Sequence, residues 1–540
     1  MRILSNRMAC SQRKGRFLAT NRIGNERVKA CASCEGLRER ARIGGHVRLT
    51  KGAGRFCRIG TLAFTALAGC AILGGCASLG GELDLTVEEA GVVVPSDWAF
   101  SEAAAVPVDL SEYWTALGDP LLDDFVRQAI VENRDIALGI ARLDQARAGL
   151  RLARAGYLPN VSGRAGVSRD VGDFAREEFD LSVGADVAWE ADLFGRISRQ
   201  VDASRADLAG AGYSLADVQR LIVGQVAIQT VQARAFAEQL AIARSTLVFQ
   251  DDNLQLARWR NQAGLVSSLD VEQARAQRAQ TAATIPLLES NLVASANAIA
   301  TLIGEAPGRT FEALTESEPQ PVPIPPAASG FAAPAEVLRQ RPELRAAEAD
   351  LIAAAARIGV ARTDLLPAAR ISGTIATGAT SLGGLFDIIT GNLFAGLTQL
   401  IFDGGRTGAR IDSAEAAARA SLATYERTVL SALEEVETAA VDQRTADERV
   451  AITEEALDAA NNSAFLARNQ YEAGLTDFQR LLVVENQLLS ARNQLVSAQA
   501  DRATAFIRLT QALGGGWRAS DYDFPLPAAY AAPGQARTAE

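Results

Sequence analysis

Phe179-Asp-Leu-Ser-Val-Gly-Ala-Asp-Val-Ala-Trp-Glu190 alternates with a period of two. Phe179, Leu181, Val183, Ala185, Val187 and Trp189 fall on one side, and Asp180, Ser182, Gly184, Asp186, Ala188 and Glu190 on the other. That alternation is the signature of a strand with one apolar and one polar face. Just beyond it the period changes. Gly195 to Arg260 contains no proline and is rich in Ala, Leu, Gln and Arg, with Leu208, Leu215, Ile222, Leu240, Leu247 and Leu254 on heptad steps. This spacing predicts one long helix lying against neighbours. About 65 residues at ~1.5 Å each make a rod of roughly 98 Å. A compact domain has no use for such a rod.

Working outward, Val161 to Ser168 alternates more weakly and pairs with the first run across the polar turn 170–178, giving a hairpin within 157–194. Leu121 to Val131 and Ile136 to Ala155 read as short amphipathic helices, the second stopped by Tyr157-Leu158-Pro159. On the other side, Ala263-Gly264-Leu265 turns the long helix back into a second one, Leu269 to Leu302, which Pro286 should kink.

The whole arrangement occurs twice. Pro159 and Pro367 are 208 positions apart, and so are Leu193-Phe194 and Ile401-Phe402, and Asn133 and Arg341. Gly264 and Gly474 are 210 apart, so two residues are gained between. A shared offset for Pro, Phe and Gly landmarks marks an internal duplication. The second copy supplies strands Ala369 to Thr377 and Leu393 to Phe402, a long helix Gly404 to Tyr471, the turn Ala473-Gly474-Leu475 and a last helix Asp477 to Leu513. The expected organisation is a leader 1–75, an extended arm 76–110, a first repeat 111–311 (helical hairpin 195–303), a Pro-rich linker 312–334, a second repeat 335–517 (β-hairpin 366–402, helical hairpin 404–513) and a tail 518–540 without period, expected to be disordered. The fold class is mostly α, as α+β.

Two hairpins give four strands, too few to close a wall with an outward apolar face, because single-chain membrane barrels start at about eight. Three copies would pool twelve. Closure removes the unpaired edges that lipid does not tolerate. The expectation is a trimeric 12-stranded β-barrel above an α-barrel of helical hairpins. Phe179, Leu181, Val183, Val187 and Trp189 would face lipid. Asp180, Asp186 and Glu190 would give an acidic lumen.

Residues 1–58 hold fifteen Arg and Lys against three acids, both Met residues, the only His and every Lys. That break in composition suggests a start codon placed too far upstream, with initiation near Val47. Ile59 to Gly75 reads as a secretory apolar region, ending in Leu73-Gly74-Gly75-Cys76. That ending resembles the lipobox of bacterial lipoproteins, which implies Cys76 as the preferred lipidation site, with Cys70 in Leu67-Ala68-Gly69-Cys70 as the alternative. From Cys76 onward the chain has 39 basic and 61 acidic residues, a net charge of −22, one Cys, no His and no Met. A His-based triad, a His metal site and an internal disulfide are excluded there, and nucleic acid should be repelled. No cofactor is called for.

Trp114-Thr-Ala-Leu-Gly-Asp119-Pro120, Trp189-Glu-Ala-Asp-Leu-Phe-Gly-Arg196, Ala263-Gly-Leu265, Arg339-Gln-Arg-Pro-Glu-Leu344, Phe402-Asp-Gly-Gly-Arg406 and Leu513-Gly-Gly-Gly-Trp517 resemble the outer-membrane efflux proteins of TolC type, most closely the lipoprotein subgroup serving resistance-nodulation-division pumps. The resemblance runs from about Ser78 to Trp517. It implies a homotrimer in outer-membrane lipid, a periplasmic adaptor and an inner-membrane pump as partners, and passive conduction of pump-delivered drugs, toxic compounds or metal ions. It further implies that Gly264, Leu265, Gly474 and Leu475 are adaptor contacts at the helix tips. The acid that family members place past the second turn is missing here, where Arg480 and Val483 stand, so Asp270, Asp477 and Arg480 become the gate candidates. A coiled-coil spacer lipoprotein and a carboxylate hydrolase built on Asp180, Asp186 and Glu190 are the rival readings. The even spacing of those acids on one strand face suits a lumen better than a converging catalytic pair.

Overall fold

A computed structural model describes residues 94–99, 109–173, 178–315, 320–326, 334–522 and 524, all within one unit, 83–540. The leader, Cys76 and most of the arm lie outside the described residues. In chain order, a 3-10 helix (Leu110–Leu117) precedes α1 (Pro120–Glu132), α2 (Arg134–Ala155), β1 (Asn160–Arg169), β2 (Phe179–Ala191), α3 (Arg196–Gln262), α4 (Ser268–Leu302) and α5 (Arg309–Thr315). The second half has α6 (Pro334–Gln340), α7 (Pro342–Thr363), β3 (Ala368–Ala379), β4 (Ile389–Thr398), α8 (Arg406–Glu472) and α9 (Phe478–Ala512). Long antiparallel helical hairpins and four strands per protomer are the architecture that the two periods dictate.

The repeat is close in length. α3 and α8 each have 67 residues, and α4 and α9 each have 35. α4 stays helical through Pro286. Local chemistry sets the boundaries. Asp119 caps α1, accepting from the amide of Leu121 at 3.0 Å, with Pro120 in the first turn, where no N–H is needed. Asn133 caps α2 through the amides of Asp135 and Ile136, at 2.8 and 3.1 Å. Its repeat partner Arg341 makes no cap. It is buried instead and reaches from α7 to the carbonyl of Ala432 at 3.0 Å and to Glu435 on α8.

In space α4 packs on α3, α3 on α9 and α9 on α8. α2 lies on α3, whereas α7 is wedged between α3 and α8. The α3–α7 contact is rich in alanine, with Ala206 and Ala209 clustered with Ala346, Ala349, Ile352 and Ala353. Small side chains let backbones approach closely, which spreads burial over more than one heptad stripe and explains why the apolar period of α3 is only partial. The main core gathers Leu122, Phe125 and Val126 of α1 with Val223, Val226 and Val231 of α3, Ile299 of α4 and Ile507 of α9.

Three expectations need correction. β4 ends at Thr398, so Ile401 and Phe402 are not in a strand; Ile401 is 95% exposed. The tail is ordered at its start. Ala519–Tyr522 forms a 3-10 turn, Trp517 Nε1 donates to the Gln340 carbonyl at 3.1 Å, and the Phe524 ring meets Tyr213 edge-on at 6.2 Å. The linker is partly built in, since α5 occupies its first residues and Val322 is buried in the main core.

Candidate functional surfaces: the two-faced sheet and the helix tips

The four strands form one antiparallel sheet in the order β1-β2-β3-β4. Cross-strand partners share a face, so the register carries the alternation across the sheet. Val187 on β2 stands opposite Val161 on β1 and Gly373 on β3; Trp189 stands opposite Ile371, itself opposite Ala395. This face also carries Leu181, Val183, Ile375, Leu393 and Leu397, and Ile375, Leu393 and Leu397 are all more than half exposed. The other face carries Ser162, Arg164, Asp180, Asp186, Glu190, Ser372, Thr374 and Asn392, with Phe394 as its one large apolar residue. Such a sheet suits lipid on one side and water on the other. β1 and β4 are its edges.

Asp180, Asp186 and Glu190 sit on the polar face, and two of the three are paired with arginines. Arg164 Nη1 donates to both carboxylate oxygens of Asp186, at 2.6 and 2.7 Å. Glu190 accepts from Arg196 Nε at 2.7 Å and lies 3.7 Å from Arg370. Strand pairing brings in Arg164 from β1 and Arg370 from β3, and Arg196 comes from the start of α3, so Asp186 and Glu190 are charge-compensated. Arg164 was legible in the alternation of β1; Arg370 was not, because its partner strand is almost two hundred residues away in sequence.

Two aspartates that lie within the quoted motifs, but to which the sequence reading assigned no role, set the strand-to-helix turns. Asp192 accepts from the amides of Ile197 and Ser198, at 2.9 and 2.8 Å, and Asp403 from those of Gly405 and Thr407, at 3.0 and 2.7 Å. Burial tends to raise the Asp192 carboxyl, but the Ser198 hydroxyl and these amides hold it below the usual carboxylate value. The Thr407 hydroxyl and amide do the same for Asp403. The two aspartates are not repeat equivalents: Asp192 precedes Phe194, whereas Asp403 follows Phe402. The two residues gained in the second repeat therefore lie here, where Phe402-Asp-Gly-Gly-Arg406 replaces Phe194-Gly-Arg196. Gly195, Gly404 and Gly405 all have positive φ, at 75, 69 and 87°.

At the far ends of the helices the repeat holds to the atom. Gly264 and Gly474 both have φ 73°, and the amides of Leu265 and Leu475 reach back to the carbonyls of Arg260 and Gln470, each at 2.8 Å. This closure of a helix C-terminus needs a left-handed residue, hence Gly. It leaves Leu265 74% and Leu475 78% exposed. Beneath them, the Arg260 guanidinium lies 4.4 Å from the Tyr471 ring centre and Tyr471 packs on Phe478. The gate candidates do helix-start work. Asp270 forms a reciprocal cap with Ser267, and Asp477 accepts from the Arg480 amide at 2.7 Å. Asp477 and Arg480 remain exposed.

A sheet with a lipid-compatible face and a wet face, continuous with helices about 100 Å long, defines an outer-membrane channel with a periplasmic helical tunnel. The chain belongs to the outer membrane efflux protein family, whose model matches residues 125–305 and 333–515. The matched segments begin 208 residues apart and end 210 apart, the same offsets as the sequence landmarks. Nodulation protein T of Rhizobium leguminosarum bv. trifolii is 30% identical over 472 residues, 86% of this chain and 98% of that protein. The pyoverdine export outer membrane protein OpmQ of Pseudomonas aeruginosa is 29% identical over 84% of this chain and 96% of its own length. The outer-membrane channel OprN superposes with a TM-score of 0.70 at 32% identity, covering 79% of this chain and 99% of that structure; CusC does so at 0.68 and 25%, covering 77% and 98%. The chain is thus the outer-membrane channel component of a tripartite efflux system, and its family and structural neighbours are channels rather than enzymes.

Proposed function

We propose that three copies close into one duct that passively exports what an inner-membrane pump delivers, with no chemistry of its own. The observation that carries this is a missing neighbour. α7 packs against both α3 and α8, but among the described residues its repeat partner α2 has one long neighbour, α3, and only a small contact with α1. Leu138, Ile140 and Leu152 on α2 are left about half to three-quarters exposed. The repeat relation supplies the absent helix: α8 of the next copy. Such a contact is head-to-tail and closes into a ring. The same operation lays β4 against the next β1, turning four strands into twelve.

The exposed Leu265 and Leu475 are the adaptor anchors, and Gly264 and Gly474 shape their turns. Asp270, Asp477 and Arg480, beside those turns, line the pore mouth, where threefold rings of like charge repel and bind counter-ions. Cys76 carries the lipid anchor.

Planar-bilayer recording of the purified trimer tests the duct. Uniform conductance steps are expected; a spacer lipoprotein would give none. For the anchor, Cys76→Ser is expected to abolish lipid labelling; loss with Cys70→Ser alone would move the site.

A further inference from the structure

The helices join the sheet at one end, through α2–β1, β2–α3, α7–β3 and β4–α8. The links β1–β2 and β3–β4 therefore lie at the other end, the outer rim of the channel. The first link carries Asp170, Asp173 and Glu178, all exposed. The second, Thr380-Ser-Leu-Gly-Gly-Leu-Phe-Asp-Ile388, has Asp387 as its one charge. Its Leu382, Phe386 and Ile388 are each about two-thirds exposed or more, and Ile389 at the start of β4 nearly as much. Apolar side chains gathered at one exposed place mark a contact with something other than water.

The loop leans to a definite side. Its Leu385 is buried, and the Leu385 carbonyl accepts from the Thr377 hydroxyl. Thr377 stands opposite Val183 on β2 and Ile389 on β4, so it belongs to the apolar face. Gly384 lies beside Ala379, which stands opposite Leu181 on that face; a Cβ on Gly384 would be 3.7 Å from that of Ala379. Within the loop the Gly384 amide donates to the Ser381 carbonyl at 3.3 Å and the Asp387 amide to the Gly384 carbonyl at 3.1 Å. The loop is thus folded over the apolar face and away from the face of Arg164 and Asp186. Its exposed side chains continue the row of Ile389, Leu393 and Leu397. In the ring proposed above, the next copy would bring Asp170 and Asp173 to this level, and charged carboxylates make poor partners for Leu and Phe. Lipid is the better match.

We propose that residues 380–388 form a flap lying on the outer leaflet, with Leu382, Phe386 and Ile388 among the lipid acyl chains. The flap rests on the reading that the apolar face of the sheet meets lipid. Irregular backbone cannot enter the hydrocarbon without losing its hydrogen bonds, so the main chain stays at headgroup level and only side chains reach inward. Held this way, the loop is kept aside from the channel mouth. Polarity-sensitive fluorophores on single cysteines test it, in the purified trimer in phosphatidylcholine vesicles. From Cys76 onward the chain has no other cysteine, and the chain without an added one sets the background. Phe386→Cys and Leu382→Cys should show blue-shifted emission, as Leu393→Cys on the lipid side of β4 should, whereas Asp173→Cys in the charged turn should not. Lipids spin-labelled near the headgroup should quench Phe386→Cys about twofold more than lipids labelled near the chain end, because interfacial apolar groups reach only ~5–10 Å inward. If Leu393→Cys is quenched by lipid while Phe386→Cys and Leu382→Cys are quenched by aqueous iodide as fully as Asp173→Cys, the flap is overturned. It is also overturned if both loop sites are shielded from lipid and iodide alike, as a contact with a second copy would shield them. Failure of lipid to quench Leu393→Cys would instead remove the lipid reading of the sheet, and the flap with it.

Discussion

Arg234 of α3 and Asp119 at the start of α1 form a buried two-point ion pair, Nε to Oδ2 at 3.0 Å and Nη2 to Oδ1 at 3.1 Å. Both side chains are less than a tenth exposed. Asp119 also caps α1, so one carboxylate ties the short helix to the long rod. Removing a single partner leaves a buried charge alone, which costs about 3–5 kcal/mol. Asp119→Ala and Arg234→Met should each lower the melting temperature strongly. The double variant should lose less than the sum of the two, as a double-mutant cycle by thermal unfolding would read out.

Gly212 on α3 is where Phe524 docks. A Cβ there would stand 2.0 Å from the Phe524 ring. Gly212→Leu should expel that ring, and Phe524→Ala should vacate the same place at a cost of about 2 kcal/mol, below the fully buried value because the ring is only partly covered. Limited proteolysis should then cut after Trp517 faster in both variants. Unchanged cleavage would mean that the C-terminal strap holds by other contacts.

Glu348 on α7 gives a pH dependence. Burial pushes its carboxyl above the ordinary value of 4.5, with Arg345 partly opposing, and its charge in turn helps burial to raise the Tyr425 phenol. A raised carboxyl favours the protonated form in the folded state. Its stabilising contribution is present below the unfolded value and is lost as pH rises through the folded one. Glu348→Gln should therefore raise the melting temperature at about pH 7.5 and leave it unchanged near pH 4.

The polar face of the sheet predicts weak charge selectivity. Arg164→Gln frees Asp186 and adds one uncompensated acid per protomer. Reversal potentials in a salt gradient should shift toward cation preference, and Asp186→Asn in the same background should cancel the shift.

Charges at the tips test docking. Leu265→Asp with Leu475→Asp should weaken adaptor binding on the order of tenfold or more while the trimer survives. Gly474→Val should strain its left-handed turn by about 1–2 kcal/mol.

Most of the fold was legible because its two periods differ and the whole pattern is said twice. β2 read correctly since Phe179 to Trp189 alternates without a break; β4 was placed too far on because the apolar run continues past Thr398 into Ile401 and Phe402. The tips were legible from the sequence because Gly-Leu at a helix end has a local cause. The charge balance of the sheet was not, since Glu190 and Arg370 meet only through the pairing of β2 with β3. Nor could any local pattern put Phe524 on Gly212.

By itself, then, the sequence determined element types, their lengths and the repeat, all set by backbone propensity and side-chain period over short spans. That Arg370 meets Glu190, that Val322 enters the main core, that Phe524 sits on Gly212 and which helix lacks its neighbour were decided only in the tertiary structure, because those contacts join residues far apart in the chain.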